Sequence, residues 1–252
     1  MDISNQNKLK LISGLPISVK GIGNIYPLTI KEIALIGEQK YNLIVGMLTS
    51  SLDDVTENAS DLVEQGIIFF DFLVFTCTQD YRILTQVEHI LSSLLRKKVN
   101  LSDNGVAFII GAESENTSIN RDNYDSFARV VRMQNCLDEK KPKKPARKNS
   151  KVEMLKQKRA KGRKLLQEAR GENFCMADII SALGVFYGDL SRPLNMTIYQ
   201  INDQYNKFVQ KEQYEQQFDM YTAGADAKKL DLNTHWSANR VVKDMDNVAP
   251  PN

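Results

Sequence analysis

The chain has 252 residues, of which 42% are hydrophobic, 8% aromatic and 25% charged, with three cysteines and a formal net charge of +2. That length suffices for one large domain or two smaller ones with a real core, and cysteines at 77, 136 and 175 are too scattered for a disulfide framework, so a reducing, intracellular setting is expected. The longest apolar run, Gly66 to Cys77, is about half a bilayer span and contains Asp71, while Met1 to Lys10 is polar, so membrane and secreted classes are set aside.

In chain order, the first expected element is a small hairpin between Ile17 and Ile25, turning at Gly21-Ile22-Gly23. Thr29 stands three residues before Glu32, the spacing of a capping box, and predicts a helix over about 30–49 with Ile33, Ile36, Leu43, Ile44 and Met47 at helical spacing. The segment SLDDVTENAS reads as a turn, after which Ser60 caps a second helix carrying Leu62, Val63, Ile67, Phe70, Leu73 and Val74. Apolar on more than one side, it is the expected central core helix. Its Asp71 reads as a wet-edge residue or the partner of a base, with a buried functional carboxylate as the alternative.

A third helix, about Asp80 to Lys98, places Leu84, Val87, Leu91, Leu94 and Leu95 on one face and ends in cations that favour the helix dipole. Two antiparallel strands, 99–101 and 106–110, should flank a tight turn at Asn104-Gly105. A helix over about 121–137 then turns Tyr124, Phe127, Val130, Val131 and Met133 inward. Residues 1–138 therefore read as a helix-rich α+β module.

Charge marks the next boundary. Of the 33 basic and 31 acidic residues, fourteen basic and two acidic ones lie between Lys140 and Arg170, which leaves the remainder ten charges negative. Residues 139–172 read as a basic linker, opening with the prolines and lysines of KKPKKPARKNS, followed from Lys151 by an exposed basic helix. The linker is a solvated tether, a phosphate contact or an import signal. The phosphate reading names Lys140, Lys141, Lys143, Lys144, Arg147, Lys148, Lys158, Arg159, Lys161, Arg163 and Lys164 as possible nucleic-acid contacts. No aromatic residue lies between 139 and 173, so no stacking platform accompanies them.

The last module, 173–252, is expected to be helical with an extended tail. Residues 176–187 read as a short apolar helix, Pro193 as part of a turn, and Thr197 with Gln200 as a second capping box. It opens a long amphipathic helix whose Ile198, Ile201, Tyr205 and Phe208 are spaced three, four and three apart, extended by Tyr214, Phe218 and Tyr221. Such a stripe is core or a partner-binding face, so Ile198, Ile201, Tyr205, Phe208, Tyr214, Phe218 and the lone Trp236 are the candidate partner-binding residues. The whole is classed as α+β, predominantly α-helical.

Reactive chemistry is not spelled out. The cysteines lie 59 and 39 residues apart and only His89 and His235 could join them as metal ligands. The chain has no Gly-x-Ser-x-Gly elbow and no Walker loop, and Gly21-Ile22-Gly23 lacks the third glycine of a dinucleotide fingerprint. No catalytic residue, metal or cofactor is assigned, and a non-enzymatic protein is expected.

The layout resembles tail assembly chaperones and related tail-region proteins of long-tailed bacteriophages. The resemblance is carried by YPLTIKEIALIGEQKYNLIVGML and NRDNYDSFARVVRMQN in the first module, the lysine-rich joint, MTIYQINDQYNKFVQKEQYEQQ, and the closing GADAKKLDLNTHWS. It implies a protein of the infected cell's cytoplasm that holds a long helical tape measure protein and recruits tail tube subunits onto it. It assigns no individual functional residue. Two alternatives stay open: a structural component of the virion tail or connector, and a nucleic-acid-binding accessory acting through residues 140–170.

Overall fold

The computed structural model describes residues 5–56, 59–112, 117–137 and 175–224. It divides into two compact units, Met1–Ile201 and Asn202–Asn252. The architecture is α+β and predominantly helical, with two small antiparallel sheets among the described residues.

The first unit opens with helix α1 (Asn5–Ile12) and a hairpin of β1 (Ile17–Val19) and β2 (Gly23–Ile25), in register Ile17 to Ile25 and Val19 to Gly23. Gly21 has φ 81° and Gly23 φ 98°, so the expected glycine turn is present. The Thr29 capping box is also present. Glu32 N donates to Thr29 Oγ1 at 3.2 Å, and Thr29 N donates to Glu32 Oε2 at 2.8 Å.

The helix expected over 30–49 is two helices. α2 (Ile30–Ile36) ends at Gly37, whose φ of 97° takes the backbone out of the helical region, and α3 (Glu38–Thr49) starts afresh. The break resets the face: Tyr41, Ile44, Val45 and Leu48 point inward, and Leu43 is 62% exposed. The turn expected at 51–60 holds a short helix, α4 (Leu52–Val55), started by Ser51 N donating to Asp54 Oδ2 at 2.8 Å.

The expected second helix is also split. α5 (Ala59–Glu64) and α6 (Phe69–Gln79) are separated at Gly66, φ 76°. α6 buries Phe70, Leu73, Val74 and Cys77 but leaves Phe72 and Phe75 exposed, so it is a one-sided core helix. The central place belongs to α7 (Tyr81–Leu95), started by Asp80 Oδ1 accepting from Arg82 N. α7 packs on α3, α6 and β2, and its Val87, Ile90, Leu91 and Leu94 are almost wholly buried. Each such side chain contributes roughly 1.5–3 kcal/mol by leaving water.

α7 stops at Leu95 because Arg96 is left-handed, φ 54°. There the Arg96 guanidinium meets Glu32 at 2.6 Å and lies over the Tyr26 ring, joining the end of α7 to the start of α2.

β3 (Val99–Leu101), β4 (Phe108–Ile110) and β5 (Ser118–Ile119) form the second sheet in that order. The β3–β4 connection is longer than a two-residue turn. Ser102 N donates to Ala107 O and Gly105, with φ 64°, donates to Ser102 O, so β4 begins at Phe108 and not at Val106. An edge strand needs its outward amides covered, and α7 does this: Ser92 Oγ accepts from Val99 N at 2.9 Å and Glu88 Oε1 accepts from Leu101 N at 2.8 Å. Ser118 N donates to Gly21 O and so links this sheet to the first hairpin.

α8 (Tyr124–Gln134) closes the core with Tyr124, Phe127, Val130 and Val131. It also buries Ala128 and Gln134, and Gln134 Nε2 donates to Ile25 O at 2.9 Å.

Residues 175–201 share this unit. α9 (Met176–Tyr187) is the expected apolar helix, and Pro193 lies buried in a short helix, α10 (Ser191–Leu194), in place of the expected turn. α10 packs on α2. Ile30 N donates to Met196 O at 2.8 Å, and Thr29 pairs with Thr197 as an antiparallel bridge. Thr197 N donates to Gln200 Oε1 and Gln200 N to Thr197 Oγ1, the second capping box. The paired segments share one pattern, Leu28-Thr29-Ile30-Lys31-Glu32-Ile33 and Met196-Thr197-Ile198-Tyr199-Gln200-Ile201. Two similar helix starts thus lie side by side.

The last described element, α11 (Ile198–Thr222), provides residues 202–222 of the second unit.

Candidate functional site

The first unit carries an open apolar groove of ≈ 600 Å³ lined by Leu52, Leu62, Ile67, Phe72 and Phe75, with Gln65, Gly66, Asp71 and Arg121 completing it. Its construction follows from the break at Gly66. Had α5 and α6 been one rod, Leu62, Ile67 and Phe75 would run along a single helix; with the break at Gly66, residues of α5, of the turn and of α6 line one groove.

The turn is held by Asp71 and Arg121. Asp71 Oδ2 accepts from Ile68 N at 2.9 Å and from Arg121 Nη2 at 2.9 Å, and Arg121 Nη2 also donates to Gly66 O. Asp71 is thus paired with a base. Both side chains remain partly exposed, so the pair itself is worth at most about 1 kcal/mol. Its geometric effect matters more, because it fixes the mouth of the groove.

Phe75 is 61% and Phe72 41% exposed. Exposed apolar side chains are common singly, but two aromatic rings bordering one concave apolar surface form a contiguous patch of the kind that meets another molecule.

A second cleft of ≈ 530 Å³ lies between α4, α6 and α8, lined in part by Asp53, Phe69, Tyr124, Asp125, Arg129 and Arg132. Two of its polar groups have structural duties. The Tyr124 hydroxyl donates to Leu48 O at 3.0 Å, and Arg132 donates through Nε and Nη2 to Thr49 O, so together they satisfy the carbonyls at the end of α3. Burial pushes Tyr124 well above the usual phenol range. A third cleft, ≈ 420 Å³, borders the three-stranded sheet and is lined by Asn100, Ser102, Asp103, Thr117 and Ser118 among others.

Of the cysteines, Cys77 is buried, and burial together with the nearby Glu88 carboxylate pushes its thiol up to about 11. That holds it in the unreactive protonated form at neutral pH. Among the described residues no group of three or more His, Cys, Asp and Glu could hold a metal ion, and no helix is long and apolar enough to cross a membrane.

The residues singled out on the C-terminal helix divide by environment. Ile201 is fully buried and Ile198 packs partly buried against the core of the first unit. In the second unit, Tyr205 and Phe208 are half-buried with ring centroids 6.5 Å apart, Tyr214 is half-buried and Phe218 is 49% exposed. At about 100° per residue, Tyr214, Phe218 and Tyr221 fall on roughly the opposite side of the helix from Tyr205 and Phe208. The aromatic residues therefore form two patches, not one extended stripe. Trp236 and all the basic residues named between Lys140 and Lys164 lie outside the described residues.

The groove was not anticipated, because Leu62 to Val74 read as continuous core. Phe72 and Phe75, off that core face, were the available signal.

Residues 167–240 match the family model of the YomV second domain. That family is phage-associated. The match covers less than a third of the chain, and it takes in α9, α10 and α11. No curated protein and no solved structure matches the chain.

Proposed function

We propose that this protein is a non-enzymatic assembly chaperone of phage tails, which holds the helical tape measure protein and brings tail tube subunits to it. The observation that carries the reading is the pair of exposed aromatic surfaces: Phe72 and Phe75 at the groove of the first unit, and Phe218 and Tyr221, each about half exposed, on α11 of the second. Surfaces of this kind suit a helical client with an apolar seam, by helix-in-groove docking. The similarity of residues 167–240 to a phage-associated domain supports the setting. Two units that each offer an apolar surface hold a client by more than one contact, which raises effective concentration.

The test is co-expression with candidate phage tape measure and tail tube proteins, followed by pull-down. Retention of the tape measure protein, with the chain missing from purified particles by mass spectrometry, is the expected result. Failure to retain either client, or stoichiometric presence in mature particles, refutes the chaperone role, and the second outcome favours a structural tail protein.

A further inference from the structure

The groove draws its charge from one stretch of sequence. From Tyr41 through Tyr81 the chain carries seven acidic residues and no Lys or Arg. Every residue lining the groove except Arg121 comes from that stretch, and Arg121 is already paired with Asp71. On α5, Asp61 and Glu64 neighbour the lining residues Leu62 and Gln65 and are exposed; on α4, Asp53 and Asp54 follow Leu52 and are exposed. The lining is mostly apolar, and the exposed charged residues next to it in the chain are acidic.

The walls are helices. The strand edges of both sheets lie on other elements, so an extended peptide has no backbone to pair with here. The shape suits a helix laid in by its side chains.

We infer that this groove takes an amphipathic helix from a partner protein, with an apolar stripe at i, i+3, i+4 and i+7 flanked by Lys and Arg. The stripe packs on Ile67, Phe72 and Phe75, and the basic residues face Asp61 and Glu64. The inference rests on the chaperone reading for the identity of the client, and it adds which surface holds it and what charge that client helix carries. Partly exposed aromatic rings at such a surface act as anchors when the partner covers them. Opposed charge sets partner choice and encounter rate more than raw affinity. The chain's own insert, with fourteen basic residues between Lys140 and Arg170, is the rival occupant.

The test uses the full chain and labelled synthetic peptides of about 20 residues, long enough to form a helix on binding. One peptide carries the apolar stripe flanked by lysines, its twin the same stripe flanked by glutamates. By fluorescence anisotropy the lysine peptide should bind about tenfold or more tightly than its twin, with a preference that shrinks as salt rises. Phe75→Ala should weaken the lysine peptide about tenfold, and Asp61→Asn with Glu64→Gln should reduce the preference without abolishing binding. Because these side chains are exposed, an unchanged melting curve shows that the variants are folded. Equal binding of the two peptides, or full binding by a folded Phe72→Ala/Phe75→Ala double variant, overturns the inference.

If exchanging the Lys and Arg residues of 140–164 for Gln makes the lysine peptide bind far more tightly, the insert occupies the groove and a partner helix does not. In co-expression, a tape measure protein retained by the parent and lost by Phe72→Asp/Phe75→Asp supports the inference. Equal retention by both removes the groove from the mechanism and leaves the chaperone reading standing. Retention by neither removes that reading, while lysine-peptide selectivity still supports the groove's preference.

Discussion

The first unit and the helix of the second use apolar residues in opposite ways. In the first, Ile44, Val87, Ile90, Leu94 and Phe127 have no measurable exposure, and they belong to one contiguous core. In the second, no described residue beyond Ile201 is fully buried on α11, although that stretch carries Tyr205, Phe208, Tyr214, Phe218 and Tyr221. An isolated helix gains little from propensity alone and draws most of its stability from a packed face. The body is therefore held by its own side chains, whereas Phe218 and Tyr221 of α11 are set out as surface and Tyr205, Phe208 and Tyr214 are only half-buried. The groove beside α6 is where the body behaves like the helix.

This contrast can be broken by substitution, beginning with the core. Leu94→Ala should destabilise the protein by about 2–5 kcal/mol in urea unfolding, since it empties a fully packed site at the centre of the body. A change below the lower bound would mean that α7 is not the central helix. Thr29→Ala should cost about 1 kcal/mol by removing one side of the capping box, again read by urea unfolding.

The partner side of that box sharpens the comparison through pH. Burial by itself raises the Glu32 pKa, but hydrogen bonds from the Thr29 backbone and the Arg96 guanidinium outweigh it and hold the carboxyl below its ordinary value of 4.5. A depressed carboxylate stabilises the fold above that value, and the contribution is lost as pH falls through the lower folded value. Glu32→Gln should therefore flatten the acid limb of the stability curve, and an identical limb in both proteins would show that the linkage is absent. The smallest effect is expected on α11, where Phe218→Ala should move stability by less than about 0.5 kcal/mol. A cost comparable to that of Leu94→Ala would make Phe218 a core residue and erase the distinction between the two regions.

Local chemistry was the most legible part of the fold. Thr29 with Glu32 and Thr197 with Gln200 state both helix starts by residue type and spacing alone, and the periodicity of Val87, Leu91 and Leu94 states the buried face of α7. Breaks within helices were not legible. Gly37 and Gly66 each sit between an apolar and a polar stretch of helix formers, where a glycine is compatible with continuation or with a stop. The misplacement of Leu43 follows directly, because a period counted from Ile33 does not survive the break. β5, with only two residues, is created by pairing with β4 and leaves no pattern of its own. The groove was hidden for the same reason as the break that makes it: a continuous helix over 60–79 would have had no room for one. The kinship between the Thr29 and Thr197 segments was readable as an internal repeat, but its meaning depends on their being neighbours in space.

That neighbourhood bears on how the molecule is made. The amide of Ile30 finds its acceptor at Met196, so most of the body is synthesised between a donor and its acceptor. Contacts so far apart in sequence slow folding, since the entropy of bringing the segments together must be met before the contact stabilises anything. On the ribosome, the body has to wait for residues 196–201 to emerge before the N-terminal helix start acquires its mate, and any translation product ending short of them leaves that site open.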